Sequence, residues 1–199
     1  MQLLGSTDAE ELSIDAYEAT KKDMGKQYKD IANAMKQSQQ CFIFNGESAF
    51  RDRLFIGVLK QAISKHKPWI EYCMESRVFE KKLTAKFGQF KKGKEQAEFV
   101  IQLLRESFLP GIRKKYFDTL TKAISIGVLQ LLFLPPTNKP QFFIIDNKLF
   151  LEKLHVPGTP KEAWFLKNLH PVFQWQYKLQ FLIIKKSALS LNKWWPLSK

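Results

Sequence analysis

The 199-residue sequence predicts an α/β fold, with a mixed sheet flanked by helices and a long N-terminal helix, on three observations. Short apolar runs closed by turn residues alternate with longer stretches of helical periodicity. Two of those runs flank an Asp-Asn pair in the manner of a β-hairpin. Apolar residues make up 45% of the chain and aromatic residues 14%, enough to bury a substantial core and to exclude wholesale disorder.

Taken in order, Thr7 and Glu10 form a capping box that opens a helix over residues 8–39. Along it Tyr17, Met24, Tyr28, Ile31 and Met35 make a narrow apolar seam, suited to its own domain or to a second protomer. The spacing therefore divides the chain into an N-terminal helix (1–40), for dimerisation or docking, and an α/β domain (41–199). Cys41-Phe42-Ile43-Phe44 reads as a buried strand ended by Asn45-Gly46, and residues 47–65 read as a helix with Phe50, Leu54, Val58 and Ala62 on one stripe. After Pro68, residues 69–74 suit a second strand. Helical segments follow near 76–88 and 94–109, and Pro110-Gly111 separates them from another at 112–125.

Residues 127–134 read as a buried strand because helix and Pro135-Pro136 are poor neighbours. Residues 142–145 and 149–151 form the two arms of the hairpin, with Asp146-Asn147 between them. Thr159, Pro160 and Glu162 predict a helix that ends before Pro171. From Phe173 to Ile183 the odd positions are all apolar and most even ones are Gln or Lys, a period of two that predicts a strand.

Charge narrows the function. Residues 1–20 carry five carboxylates and no Lys or Arg, so the other 179 residues hold 32 basic against 14 acidic side chains. Such a surplus attracts polyanions: nucleic acid, an anionic membrane surface or an acidic protein partner. Within residues 77–122 there are 12 basic and 5 acidic side chains, and the candidate polyanion-binding residues are Lys81, Lys82, Lys91, Lys92, Lys94, Arg113, Lys114 and Lys115. Phe79, Phe87 and Phe90 interleave with them at helical spacings, as core residues do. Trp194 and Trp195, beside Lys193, are candidates for membrane or partner docking, or for simple packing on the sheet.

Catalytic and metal chemistry has little material. Cys41 and Cys73 make neither a disulfide framework nor a zinc cluster, and they point to a reducing compartment, cytoplasmic or nuclear. Of the three histidines, His66 lies between two lysines, while His155 and His170 flank a turn without a matched acid in sequence. Asp146 and Glu152 could hold a nuclease metal, although Asp-Asn is also what a tight turn requires. There is no Walker-type glycine loop, so no cofactor is expected. The longest nearly apolar stretch, residues 123–134, is too short to span a bilayer, which takes about 20 residues. No leader peptide is expected from the first residues.

Three local phrases resemble one half of the phospholipase-D-like fold. Phe44-Asn45-Gly46-Glu47-Ser48-Ala49-Phe50 is similar to the strand-to-helix junction of its regulatory members, and Ala123-Ile124-Ser125-Ile126-Gly127-Val128 to the turn before their central strand. Residues 141–151 resemble their hairpin, in which Asp closes the first strand. The resemblance covers residues 41–155 and implies a phosphate-sized pocket. Active members carry His-x-Lys-x4-Asp, whose His attacks phosphorus and whose Lys holds the phosphate oxygens. Aligned on Asp146, this sequence places Lys139 at the His and Gln141 at the Lys, which implies a catalytically degenerate domain. Such members are similar in serving as ligand-sensing, dimerising or phosphoinositide-binding domains. Archaeal sugar-responsive transcription regulators resemble it in layout, but no winged helix-turn-helix is recognisable here.

The expected function is a non-enzymatic binding or regulatory domain for a polyanionic or phosphate-bearing ligand, nucleic acid first. Alternatives are a peripheral module for anionic lipid head groups, a phosphodiesterase or nuclease, and an interaction subunit for an acidic partner.

Overall fold

The computed structural model describes residues 15–19, 21–46, 53–76, 82, 85–86, 89–90, 93–108, 114–137, 139, 141–153, 163–167 and 171–196. The chain is α/β with a mixed sheet, as the sequence predicts. Its elements are β1 (Asp15–Ala19), α1 (Lys21–Gln37), β2 (Gln40–Gly46), α2 (Arg53–Lys65), β3 (Trp69–Glu75), α3 (Gly93–Phe108), α4 (Lys114–Ser125), β4 (Leu129–Leu134), β5 (Gln141–Ile145), β6 (Lys148–Lys153), β7 (Ala163–Lys167), α5 (Pro171–Ser187) and β8 (Leu189–Ser190), followed by a 3₁₀ turn at Asn192–Trp194.

The sheet order is β1-β7-β6-β5-β2-β3-β4-β8. Strands β2, β3 and β4 are parallel and every other pairing is antiparallel. The central strands are mostly apolar because both of their faces are covered. Alternate residues serve two cores. Cys41, Ile43, Ile70, Tyr72, Met74, Leu131 and Phe133 face a large core shared with α1 to α4, whereas Phe44, Cys73, Leu132, Phe142 and Ile144 face Phe181 and Ile184 of α5. Gly127, at φ 76°, ends α4: its N–H donates to the Ile124 carbonyl and that of Val128 to Ala123, so the left-handed residue closes the helix and launches β4.

Three expectations are corrected. The long N-terminal helix does not form over residues 8–39: residues 15–19 are a strand, registered from Asp15↔Lys167 to Ala19↔Ala163, and the helix begins only at Lys21. The open edge of β7 offers these residues ladder hydrogen bonds, and pairing overrides the helical seam. Ile31 and Met35 of that seam are buried in the protomer's own core, with Tyr28 packed against it. The capping box at Thr7 and Glu10 lies outside the described residues. Residues 163–167, expected to be helical, form β7 between β6 and β1, while Thr159, Pro160 and Glu162 lie outside the described residues.

The predicted strand at 173–183 is instead the middle of α5. Pro171 occupies its first turn and Lys185 and Lys186 its last, both favourable positions in a helix. The second face of the sheet needs a cover, and α5 supplies it with Phe181 and Ile184, helped by the partly buried Tyr177 and Ala188. Lys185 Nζ lies 2.5 Å from Glu71 Oε2 and pins the helix to β3.

Candidate functional site

The hairpin, where the resemblance puts the phosphate chemistry, is built around Asp146. Its φ of 51° makes the turn, and Oδ1 accepts the backbone N–H groups of Gln39 and Gln40, each at 3.0 Å. Its own N–H donates to the Gln40 carbonyl. The carboxylate thus ties the hairpin to the start of β2. Lys139 and Gln141 stand near the opposite end of β5, beside the finish of β2, because Phe142 pairs with Phe44 in antiparallel register. Lys139 is exposed and Gln141 is buried, so the two are not displayed on one surface.

Near that end Glu75 is fully buried and accepts the Thr137 N–H on Oε1. Burial pushes the Cys73 thiol up to about 12; Glu75 adds to the rise and Lys139 opposes it. Cys41 is likewise held at about 12, by burial first, with the Ser38 hydroxyl opposing. A thiol held that high is not a thiolate at neutral pH and makes a poor nucleophile or metal ligand. Among the described residues no cluster of three His, Cys, Asp or Glu could hold a metal. His66 is exposed in the turn before β3, and Glu152 pairs with Gln141 through the backbone. His155 and His170 lie outside the described residues.

The basic residues divide. Lys82, Lys94, Lys114 and Lys115 are all exposed, whereas Lys81, Lys91, Lys92 and Arg113 lie outside the described residues. Lys94 opens α3, and Lys114 and Lys115 open α4. Lys94 lies 3.8 Å from Glu98, a pair more than half exposed, and therefore weak. More telling is its other neighbour: Lys94 Nζ and Lys193 Nζ stand 5.9 Å and 4.8 Å from the centre of the same Trp194 ring. Two ammonium groups thus flank one half-buried indole, a cation–π arrangement that keeps positive charge at a fixed place. Lys86 repeats the device over Phe99, at 6.0 Å.

The two tryptophans have separate roles. Trp195 is 4% exposed, stacks on Phe117 with centroids 5.5 Å apart, and donates Nε1–H to Thr121 Oγ1 at 3.1 Å. It locks the 3₁₀ turn to α4 and offers little surface. Trp194 lines a groove of about 500 Å³ with Pro196 and with Glu98, Ile101, Gln102, Arg105 and Glu106 of α3. Asn192 sets this geometry. Its Oδ1 accepts the Leu131 N–H and its Nδ2 donates to the Leu129 carbonyl, so one amide caps the outer edge of β4 and fixes the turn carrying Lys193 and Trp194. The sequence shows Lys193 beside the tryptophans but not its meeting with Lys94, and it does not single out Arg105 or Asn192.

No protein-family model matches the chain, and no curated protein does. Solved structures do. TrmBL2, described as an archaeal chromatin protein with a novel mode of DNA binding, aligns over 90% of this chain and 55% of its own, at TM-score 0.51 and 10% identity. Nuc from Salmonella typhimurium, a phospholipase D family member, aligns over 88% of this chain and 95% of its own, at TM-score 0.48 and 6% identity. This chain spans about half the length of TrmBL2. At 10% identity or less these are likenesses of fold alone, and the chemistry rests on this chain's own side chains.

Proposed function

We propose that this chain is a non-enzymatic domain that binds a polyanion, nucleic acid in the first place, through the cationic surface at the starts of α3 and α4. The observation that carries the reading is the meeting of Lys94 and Lys193 on Trp194, Lys94 belonging to a basic stretch of sequence whose described lysines are exposed. Lysines held over a ring keep their charge available to phosphates, and the indole adds a surface on which an unpaired base can stack. The 18-charge surplus outside residues 1–20 draws any polyanion towards the molecule. TrmBL2 is described by its DNA binding, so a scaffold of this shape is compatible with such a ligand.

The test is an anisotropy titration of a labelled DNA duplex with the full chain across a range of salt. If the eight basic residues singled out all meet phosphates, log K should fall against log salt with a slope near −7, at about 0.9 per contact. The combined change Lys94→Gln, Lys114→Gln, Lys115→Gln should flatten that slope by roughly 3. Absence of binding at low salt, an unchanged slope in the variant, or metal-dependent cleavage of the duplex would each overturn the reading.

A further inference from the structure

The side of α5 turned away from the sheet is apolar. Val172, Trp175, Leu179, Leu182 and Ile183 are 53%, 64%, 43%, 46% and 56% exposed. At about 100° per residue they fall in a band roughly 100° wide, opposite Tyr177, Phe181 and Ile184. Among the described residues, the other exposed large apolar side chains are Trp69 and the less exposed Ile126. The exposed side chains are therefore gathered into one stripe rather than scattered, and a gathered stripe marks a contact surface.

Its charge says what the contact is. No Asp or Glu occurs from residue 163 to residue 199, while six lysines do. Lys186 is exposed at the C-terminal end of the stripe; Lys178, exposed along its flank, holds its Nζ 5.7 Å from the centre of the Phe42 ring, within a lysine's reach of the bilayer; Lys185 is turned inwards, on Glu71. A second copy would bring its own Lys178 and Lys186, which have no acidic partner among the described residues, against this face. An anionic bilayer offers the opposite charge and an apolar interior at the same surface, and a tryptophan suits its boundary. No helix among the described residues is long and apolar enough to cross a membrane, so the contact is side-on.

We infer that α5 docks flat on an anionic lipid bilayer. Trp175, Leu179 and Ile183 enter the boundary between headgroups and acyl chains, and Lys178 and Lys186 meet the headgroups. This surface shares no residue with the proposed nucleic-acid site, and neither proposal depends on the other.

The experiment is co-sedimentation of the full chain with phosphatidylcholine vesicles, with and without phosphatidylserine, at physiological salt. The wild-type chain should partition roughly tenfold or more in favour of the serine-containing vesicles. The combined variant Trp175→Gln, Leu179→Gln, Ile183→Gln should lose roughly tenfold or more of that partitioning. Its duplex titration and thermal unfolding should remain those of the wild type, because the three side chains are exposed. Lys178→Gln with Lys186→Gln should weaken only the serine-dependent part. Equal sedimentation of wild type and the glutamine variant, no sedimentation of the wild type, or a wild-type dimer that the variant turns into a monomer would overturn the inference, the last by assigning the face to a second copy.

Discussion

Replacing Lys185 by methionine removes the ammonium that lies 2.5 Å from Glu71 Oε2. The two partners are unequally placed. The Glu71 side chain is 5% exposed, on the face of β3 that α5 covers, and has no route to water without lifting the helix. Lys185 is 33% exposed and can swing out when its partner is lost. The single variants should therefore differ in a fixed order. Lys185→Met strands a buried carboxylate and should cost about 3 kcal/mol. Glu71→Gln leaves a lysine that can rehydrate and an amide that can still accept a hydrogen bond, at about 1 kcal/mol. Glu71→Gln combined with Lys185→Met removes both charges and should sit within about 1 kcal/mol of the wild type, since a buried pair gains little over neutral groups of similar shape. Urea unfolding of the four proteins, followed by far-UV circular dichroism, gives the complete cycle. A Lys185→Met protein as stable as Glu71→Gln, or a coupling energy below about 0.5 kcal/mol, would refute the view that this pair anchors α5.

Phe181→Ala empties a fully buried site between α5 and the sheet and should cost about 3–5 kcal/mol, whereas Leu179→Ala, two residues away on the outer face, should stay within about 0.5 kcal/mol; thermal unfolding separates them. Asp146→Ala deletes the acceptor for two N–H groups and strains a residue at φ 51°, and should cost about 2 kcal/mol, whereas Asp146→Asn keeps an amide oxygen and tolerates that φ, so its loss in a urea titration should be the smaller. The thiols of Cys41 and Cys73 ionise near 9.0 when unfolded and at about 12 when folded. The folded state therefore keeps two protons that the unfolded state sheds. Stability should be indifferent to these groups below pH 9 and should fall between pH 9 and 12 by up to about 1.4 kcal/mol per thiol per pH unit. Replacing both cysteines by alanine should reduce that alkaline slope in urea titrations at stepped pH.

The central strands and hairpin were legible because each is a short apolar run with a distinctive stop: Asn45-Gly46, Pro135-Pro136 and Asp146-Asn147. β1 and β7 were not: β1 takes its conformation from the edge that β7 offers, and the Thr159, Pro160 and Glu162 phrase before β7 reads as a helix start although β7 joins the sheet on β6. The candidate site was legible as composition but not as geometry. Lys94 and Lys193 are 99 positions apart, and it takes the Asn192 amide on β4 and Trp195 on α4 to set the turn that carries Lys193 and Trp194 up to Lys94. Asp146 was visible as a turn residue, yet its acceptors' donors, Gln39 and Gln40, lie more than a hundred residues upstream.

The misreading of residues 173–183 has a physical origin that bears on α5's outer face. On a helix, two residues advance the chain by about 200°, so side chains at every second position fall alternately on opposite sides, drifting by about 20° per step. Alternation from 175 to 183 therefore sends Trp175, Leu179 and Ile183 one way and Tyr177 and Phe181 the other, as their exposures record. The same pattern that suits a strand with one buried face also suits a helix with two apolar faces. Covering the sheet requires only the row that holds Tyr177, Phe181 and Ile184. The opposite row is 43–64% exposed, and polar side chains there would fold as well. Its apolar character is a cost in water that the packing of the described residues does not offset, and the proposed contact with a lipid surface offsets it.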